Sequence, residues 1–198
     1  GNGYTLSRNT GAIAFRVLTI NAGDVTIDRL TISGGNATDG GGISNYGTLT
    51  LTNCTVSGNT ANDSGGGIYN YDGGILTLTN CTVSNNTAGF GGGIDNYDGG
   101  ILTLTNCTVS GNAANVYGGG VFQYNGTLTL IRNIVSGNTA ANGSEIFLWG
   151  NLTIDADAHN VFGNSGLTTA QAFVGFTPGA TDVTCTSDET RSTALASI

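Results

Sequence analysis

The sequence predicts an all-β fold, a right-handed parallel β-helix (β-solenoid) of about seven coils of 24–27 residues. The first observation is a repeat: LTLTNCTVSGNTANDSGGGIYNYDGG begins at Leu49, with close copies from Leu76 and Leu102 and weaker ones from Val25, Leu128 and Leu152. The second is the apolar/polar alternation within LTLT and CTVS, interrupted by Asn and Gly, which is typical of short strands joined by turns. Third, so short a unit buries its apolar face only against similar stacked neighbours.

Each coil is expected to contribute strands that pair in parallel with their equivalents about 4.8 Å above and below. Parallel crossovers are right-handed as a rule. Glycine runs at 65–67, 91–93 and 118–120 predict corners with positive φ and close backbone approach. Alternation assigns inward side chains to Leu49, Leu51, Cys54, Val56 and Ile68, and outward ones to Thr50, Thr52, Thr55 and Ser57.

The repeat organises residues 1–166 as β-solenoid coils, the first of which carries no recognisable capping helix. Residues 167–198 depart from the repeat and form either an irregular C-terminal cap or an inter-subunit strand segment of the same domain, with AFVGF, DVTCTS and TALASI as strand-like runs. Open solenoid ends expose unpaired strand groups. We therefore expect head-to-tail self-association into a filament or surface stalk, with a capped monomer as the alternative.

The charge balance excludes some partners. The 198 residues include 13 acids, five arginines and no lysine, with a net charge of −8. Nucleic-acid binding needs clustered cations, so we expect no nucleic-acid partner. No apolar run reaches the roughly 20 residues of a membrane span, so no membrane insertion by this chain is expected.

Two asparagine rows recur at the repeat spacing. Side-chain amides at equivalent positions of stacked coils can hydrogen-bond along the stack, and buried corners need polar partners. The first row, a predicted structural ladder, is Asn59, Asn86, Asn112, Asn138 and Asn164, and the second is Asn45, Asn70 and Asn96.

The GGGI element followed by NY, together with TVSGN, resembles the GGxI and FxxN repeats of polymorphic outer-membrane proteins. It is equally similar to the β-helix repeats of bacterial surface proteins with C-terminal sorting anchors. The resemblance covers roughly residues 24–166, with Val56 where the first family has Phe. It implies a secreted adhesive or surface-coating protein, so an extracellular or cell-surface location is expected.

Three cysteines, Cys54, Cys81 and Cys107, share one repeat position and predict a buried thiol ladder. Stacked side chains that point the same way give poor disulfide geometry. Zinc is not expected, because there is no CxxC pair and His159 is the only histidine. Cys185 lies outside the repeat. We expect neither metal nor cofactor.

Enzymes occur on parallel β-helices, so catalysis has to be judged from the site. Arg29 and Arg132 share a repeat position but lie four coils apart, about 19 Å at strand spacing. Asp72, Asp95 and Asp98 offer a weak calcium patch, although Asp-Gly is first a turn signal. We therefore expect no catalytic residues and no enzyme, with a carbohydrate-active enzyme as a further alternative.

Two outward rows are candidates for binding. Tyr46, Tyr71, Tyr97, Tyr124 and Trp149 each follow the inward aliphatic of the GGGI element by three residues and predict an aromatic column, with Tyr69, Phe122 and Phe147 nearby. The column is either a self-packing ladder or a platform for a polysaccharide, because ring faces stack on sugars. Thr-x-Thr pairs, intact in three coils, suggest an ice-binding face as a further alternative.

Overall fold

The computed structural model describes residues 3–9, 11–156 and 159–188. Within them the chain forms a parallel β-helix of about seven coils, as the repeat predicts. Sheet A runs along one face of the stack and contains β1 (Tyr4–Ser7), β4 (Leu30–Ser33), β8 (Thr55–Ser57), β12 (Thr82–Ser84), β16 (Thr108–Ser110), β19 (Ile134–Ser136), β21 (Val161–Phe162) and β23 (Val183–Thr184).

Sheet B is the largest sheet and consists of two columns of strands. The first column contains β2 (Leu18–Ile20), β6 (Ile43–Asn45), β10 (Ile68–Asn70), β14 (Ile94–Tyr97) and β22 (Phe173–Val174). The second contains β3 (Asp24–Asp28), β7 (Thr48–Thr52), β11 (Ile75–Thr79) and β15 (Ile101–Thr105). Two long strands run through both columns and join them, β18 (Val121–Ile131) and β20 (Ile146–Asp155).

Sheet C is short and lies at the corner that precedes each glycine run. It contains β5 (Asn36–Ala37), β9 (Thr60–Ala61), β13 (Thr87–Phe90) and β17 (Ala113–Tyr117).

One four-residue helix, α1 (Thr169–Ala172), lies near the C-terminal end, where Thr168 and Gln171 form a capping box. No helix in the described part of the chain is long and apolar enough to cross a bilayer.

The core lies between the sheets and is built from the inward positions of every coil. Leu49, Leu51, Val56 and Ile68 have no exposed surface, and the threonines between them are half-buried on the outer side. The period-two alternation therefore predicted the faces correctly. Equivalent residues pair directly from coil to coil, as Leu51, Leu78 and Leu104 do.

The first asparagine row forms a continuous ladder inside the stack. The amide Nδ2 of Asn59 donates to Oδ1 of Asn86 at 3.0 Å, and the same contact joins Asn86 to Asn112 and Asn112 to Asn138. Each Oδ1 also accepts the backbone N–H of the asparagine before it, as between Asn59 and Asn86. The ladder therefore satisfies backbone donors at a buried corner.

Asn164 is not the next rung of this ladder. The carboxylate of Glu145 lies between Asn138 and Asn164 and accepts an Nδ2 hydrogen bond from each, at 2.6 and 3.2 Å. Glu145 occupies the repeat position that Gly120 has in the preceding coil. A Cβ added at Gly120 would meet Nδ2 of Asn138, one coil further on, at 2.9 Å. A glycine leaves room for the next asparagine, whereas the glutamate side chain fills that room itself.

The second asparagine row also forms a ladder. Asn45 donates to Asn70, Asn70 to Asn96, and Asn96 to Gln123 at 2.7 Å. A further ladder, absent from the predictions, joins Asn133 to Asn160 and then to Asp182 through Nδ2 donors.

The segment after residue 166 continues two of the sheets. β22 pairs with β20, and β23 pairs with β21, both in parallel. The run TALASI lies outside the described residues, so its part in a head-to-tail junction remains a prediction.

Candidate functional site

The predicted aromatic column is a row of neighbouring rings along the stack, which we call the ridge row: Tyr46, Tyr71, Tyr97, Tyr124 and Trp149. Successive ring centroids are 4.7–6.0 Å apart. The rings of Tyr97 and Tyr124 are stacked, while Tyr46 and Trp149 meet the column edge-on. Trp149 is 59% exposed, so the row remains open to solvent at that end.

A second row lies beside it on the outer face of the first column of sheet B. This floor row consists of Ser44, Tyr69, Asp95, Phe122 and Phe147, which pair in register from coil to coil. Parallel pairing in register directs all five side chains to the same side of the sheet.

A third row precedes the glycine runs at the edge of sheet C. This wall row consists of Asp39, Ser64, Phe90, Tyr117 and Asn142, joined by bridges and backbone hydrogen bonds. Sequence reasoning missed it because its members share no chemistry. Their common position, directly before the first glycine of each run, was the available signal.

The three rows enclose a groove of about 490 Å³. Its lining residues are Asp39, Asp63, Ser64, Tyr69, Tyr71, Phe90, Tyr97, Tyr117, Phe122, Tyr124 and Trp149. Small-molecule sites have similar volumes and are mostly apolar with a few polar groups. The groove changes along its length, since its polar lining residues Asp39, Asp63 and Ser64 all come from the early coils, whereas the later coils supply only rings.

The floor row contains unsatisfied buried polar atoms. Ser44 Oγ and both carboxyl oxygens of Asp95 are buried without a hydrogen-bond partner, and they are the only such side-chain atoms among the described residues. Burial, with a smaller effect of the nearby Asp39 and Asp63, raises the pKa of Asp95 to about 8. The Ser64 hydroxyl opposes this shift because it lies near the Asp95 carboxyl, although it completes no hydrogen bond of normal geometry. Native proteins leave few such groups without a partner.

The thiol row is separate from the groove. Cys54, Cys81 and Cys107 are each 2% exposed, and the backbone N–H of Cys54 points at Sγ of Cys81 at 3.4 Å. All three, like the exposed Cys185, are free thiols. Burial raises the pKa of the Cys54 thiol.

Arg29 and Arg132 occupy equivalent corners with φ of 55° and 54°, a left-handed conformation that Asn53, Asn80 and Asn106 adopt in the coils between them. Arg29 forms an ion pair with Asp28 at 2.7 Å.

Asp72 and Asp98 lie in exposed turns with positive φ, whereas Asp95 is buried. No three acid, thiol or imidazole groups of the described chain are grouped to hold a metal ion.

The threonine pairs lie on the second column of sheet B. Thr50, Thr77 and Thr103 pair in register, as do Thr52, Thr79 and Thr105. The first row continues to Thr26 and Thr129, while Asp28 and Ile131 end the second.

A stack of parallel coils with asparagine ladders and an aromatic outer groove defines a β-helix repeat protein. The family model described as "Right handed beta helix region" matches residues 5–164. The chain belongs to this family. No curated protein and no solved structure matches the sequence.

Proposed function

We propose that this chain is a carbohydrate-binding surface protein whose groove holds an extended polysaccharide along the stack. The observation that carries the proposal is the ridge row of rings beside a groove of about 490 Å³. Aromatic faces pack on the C–H surfaces of sugars, and phenolic hydroxyls bond to sugar oxygens.

The geometry of the groove favours a linear ligand. From Tyr46 to Trp149 the ridge row spans four coil intervals, about 19 Å at strand spacing. Tyr71, Tyr97 and Tyr124 all line the groove, so one chain of sugars can meet a ring in each of three successive coils. Each contact is weak, and the affinity comes from their number.

In this role the protein binds the polysaccharide without cleaving it. It does so at the cell surface or outside the cell. Glycoside hydrolysis uses two carboxyl groups on either side of the scissile bond. Asp95, whose pKa burial raises to about 8, has no exposed surface and is out of reach of a ligand in the described conformation. The resemblance of GGGI and TVSGN to secreted adhesive repeats supports the location.

The test is calorimetric titration of the protein with oligosaccharides of several backbones, preceded by a glycan array to select them. We expect one backbone to bind, and the double substitution Tyr71→Ala with Tyr97→Ala to abolish binding. Ile75→Ala with Ile101→Ala is the matched control, because these large apolar side chains also lie in two successive coils and are exposed, but they belong to the second column of sheet B.

Circular dichroism has to show that both double variants keep the fold. The proposal is wrong if the unmodified protein binds no glycan, or if the control loses binding as completely as the tyrosine variant does.

A further inference from the structure

The acidic end of the groove limits the chemistry of its ligand. Asp39 and Asp63 both line the groove, and their carboxylates are close enough to act on each other electrostatically. Asp95 belongs to the floor row between Tyr69 and Phe122, which also line the groove, so its side chain points to the same side. Two carboxylates, those of Asp39 and Asp63, therefore line one stretch of the groove, and the Asp95 carboxyl lies buried beneath its floor.

No cationic side chain of the described residues lines this groove. The nearest arginine is Arg16, whose guanidinium donates to the main-chain oxygens of Asp39 and Gly40 and to Oγ1 of Thr19. Arg16 therefore compensates the carboxyl groups only in part. On the ridge side, the turn acids Asp72 and Asp98 directly follow Tyr71 and Tyr97 and add further negative charge.

The polar side chains of the floor row are a second, independent observation. Oγ of Ser44 and both oxygens of Asp95 are buried and complete no hydrogen bond of normal geometry, although the Ser64 hydroxyl lies near Asp95. Because burial raises the pKa of Asp95 to about 8, this group is uncharged at pH 6 and adds polarity but no negative charge. The rings of Tyr69, Phe90 and Tyr97 line the same groove as Asp39 and Asp63. A cation placed over the negative face of a ring is attracted by the ring and by the carboxylates of Asp39 and Asp63 together.

We propose that the ligand of the groove is a glycan with protonated amino groups, a hexosamine polymer whose amines are free. Its ammonium groups lie at the acidic end against Asp39, Asp63 and the rings, and its sugar faces lie on the ridge row. This inference rests on the proposed carbohydrate function and specifies its substrate class.

The experiment compares oligomers of glucosamine with N-acetylglucosamine oligomers of equal length, at pH 6 and low salt, by calorimetric titration. We expect the amine form to bind at least about tenfold more tightly. The preference falls as salt is added, because ions screen exposed charges. The double variant Asp39→Asn with Asp63→Asn loses the preference and keeps its affinity for the acetylated form.

The matched control is Asp24→Asn with Asp155→Asn, which changes the net charge equally at exposed positions outside the groove lining. We expect it to keep the preference. Equal binding of both oligomers overturns the inference and leaves the carbohydrate function standing. The inference is also overturned if the Asp39 and Asp63 variant keeps the preference. It is overturned equally if the control loses the preference, because the attraction would then depend on the net charge of the protein and not on the groove. Binding of neither oligomer, nor of any glycan on the array, overturns both proposals.

Discussion

Asn138 ends the first asparagine ladder by donating its amide hydrogen to Oε2 of Glu145 at 2.6 Å. The same carboxylate accepts the backbone N–H groups of Gly137 and Asn138 and the amide of Asn164. Each rung donates one amide hydrogen to the next side chain toward the C-terminus and the other to a main-chain carbonyl of the preceding coil. The last rung therefore needs an acceptor that offers no hydrogen of its own. A carboxylate meets that need, and a further amide does so only if another acceptor follows.

We expect Glu145→Gln to lower the free energy of unfolding by about 2 kcal/mol. Glutamine replaces one carboxylate oxygen by a donor, which leaves two of the four N–H groups facing an NH₂ group. Urea unfolding at pH 7 measures the effect. Asp28→Asn is the control, because it removes an exposed ion pair to Arg29, keeps an oxygen for the exposed hydrogen bond from Asn53, and should cost less than about 1 kcal/mol. Equal losses in the two variants would contradict the role of Glu145.

Asp95→Asn should make stability less dependent on pH. Burial raises the pKa of Asp95 from 3.8 to about 8, so the folded state holds its proton where the unfolded state has released it. The contribution of Asp95 is therefore fully present below pH 3.8 and is lost as pH rises toward 8. We expect the variant to equal the parent near pH 4 and to exceed it by about 2 kcal/mol or more at pH 9.

Unfolding in urea at a series of pH values measures this difference. Asp24→Asn serves as the exposed control and should show no such trend. A parallel pH dependence of the Asp95 variant and the parent would show that Asp95 is ionised in the folded protein.

Arg132→Asn should stabilise the protein by about 0.5–1 kcal/mol. Arg132 has a φ of 54°, in the left-handed region that asparagine tolerates better than arginine. Arg132 donates one exposed hydrogen bond to Asn106. An asparagine at this position can donate its amide to Asn106 in the same way that Asn80 donates to Asn53. Thermal melting measures the change. The control Thr77→Asn, at an extended strand position, should destabilise the protein instead.

Gly92→Ala should be far more damaging than Gly99→Ala. A Cβ at Gly92 would lie 2.4 Å from the carbonyl oxygen of Ala113 in the next coil, so the coils would have to separate. A Cβ at Gly99 meets open space, although its φ of 80° costs about 1 kcal/mol. We expect Gly92→Ala to cost at least about 3 kcal/mol in chemical denaturation. Similar costs at the two sites would contradict close packing of the coils at the corner.

The three stacked thiols should react only after unfolding. Cys54, Cys81 and Cys107 are 2% exposed, whereas Cys185 is exposed. A thiol reagent followed by mass spectrometry should label one cysteine rapidly and the other three at the rate of global unfolding. Cys185→Ser is the control and should remove the fast phase alone. Fast labelling of Cys81 would contradict a tightly packed stack.

The sequence predicted the coils, the inward face and the ridge row because each depends on one chemical class of residue, apolar or aromatic, at a fixed repeat position. It did not predict the wall row, where Asp39, Ser64, Phe90 and Tyr117 share a position but no chemistry. Glu145 escaped notice for a related reason, since it replaces a glycine once and acts on an asparagine from its own coil. Single replacements in a repeat carry no periodic signal.

The direction of the asparagine ladder bears on how such a chain changes in evolution. The asparagine of an interior coil accepts a hydrogen bond from the coil before it and donates one to the coil after it. A duplicated copy of residues 76–101 would therefore find hydrogen-bond partners on both sides. Unequal recombination between near-identical repeats supplies such copies in whole units. Each insertion would lengthen the ridge row by one ring and about 4.8 Å. Gain and loss of repeats therefore adjust the reach of the groove in steps, while the terminal carboxylate of Glu145 stays in place.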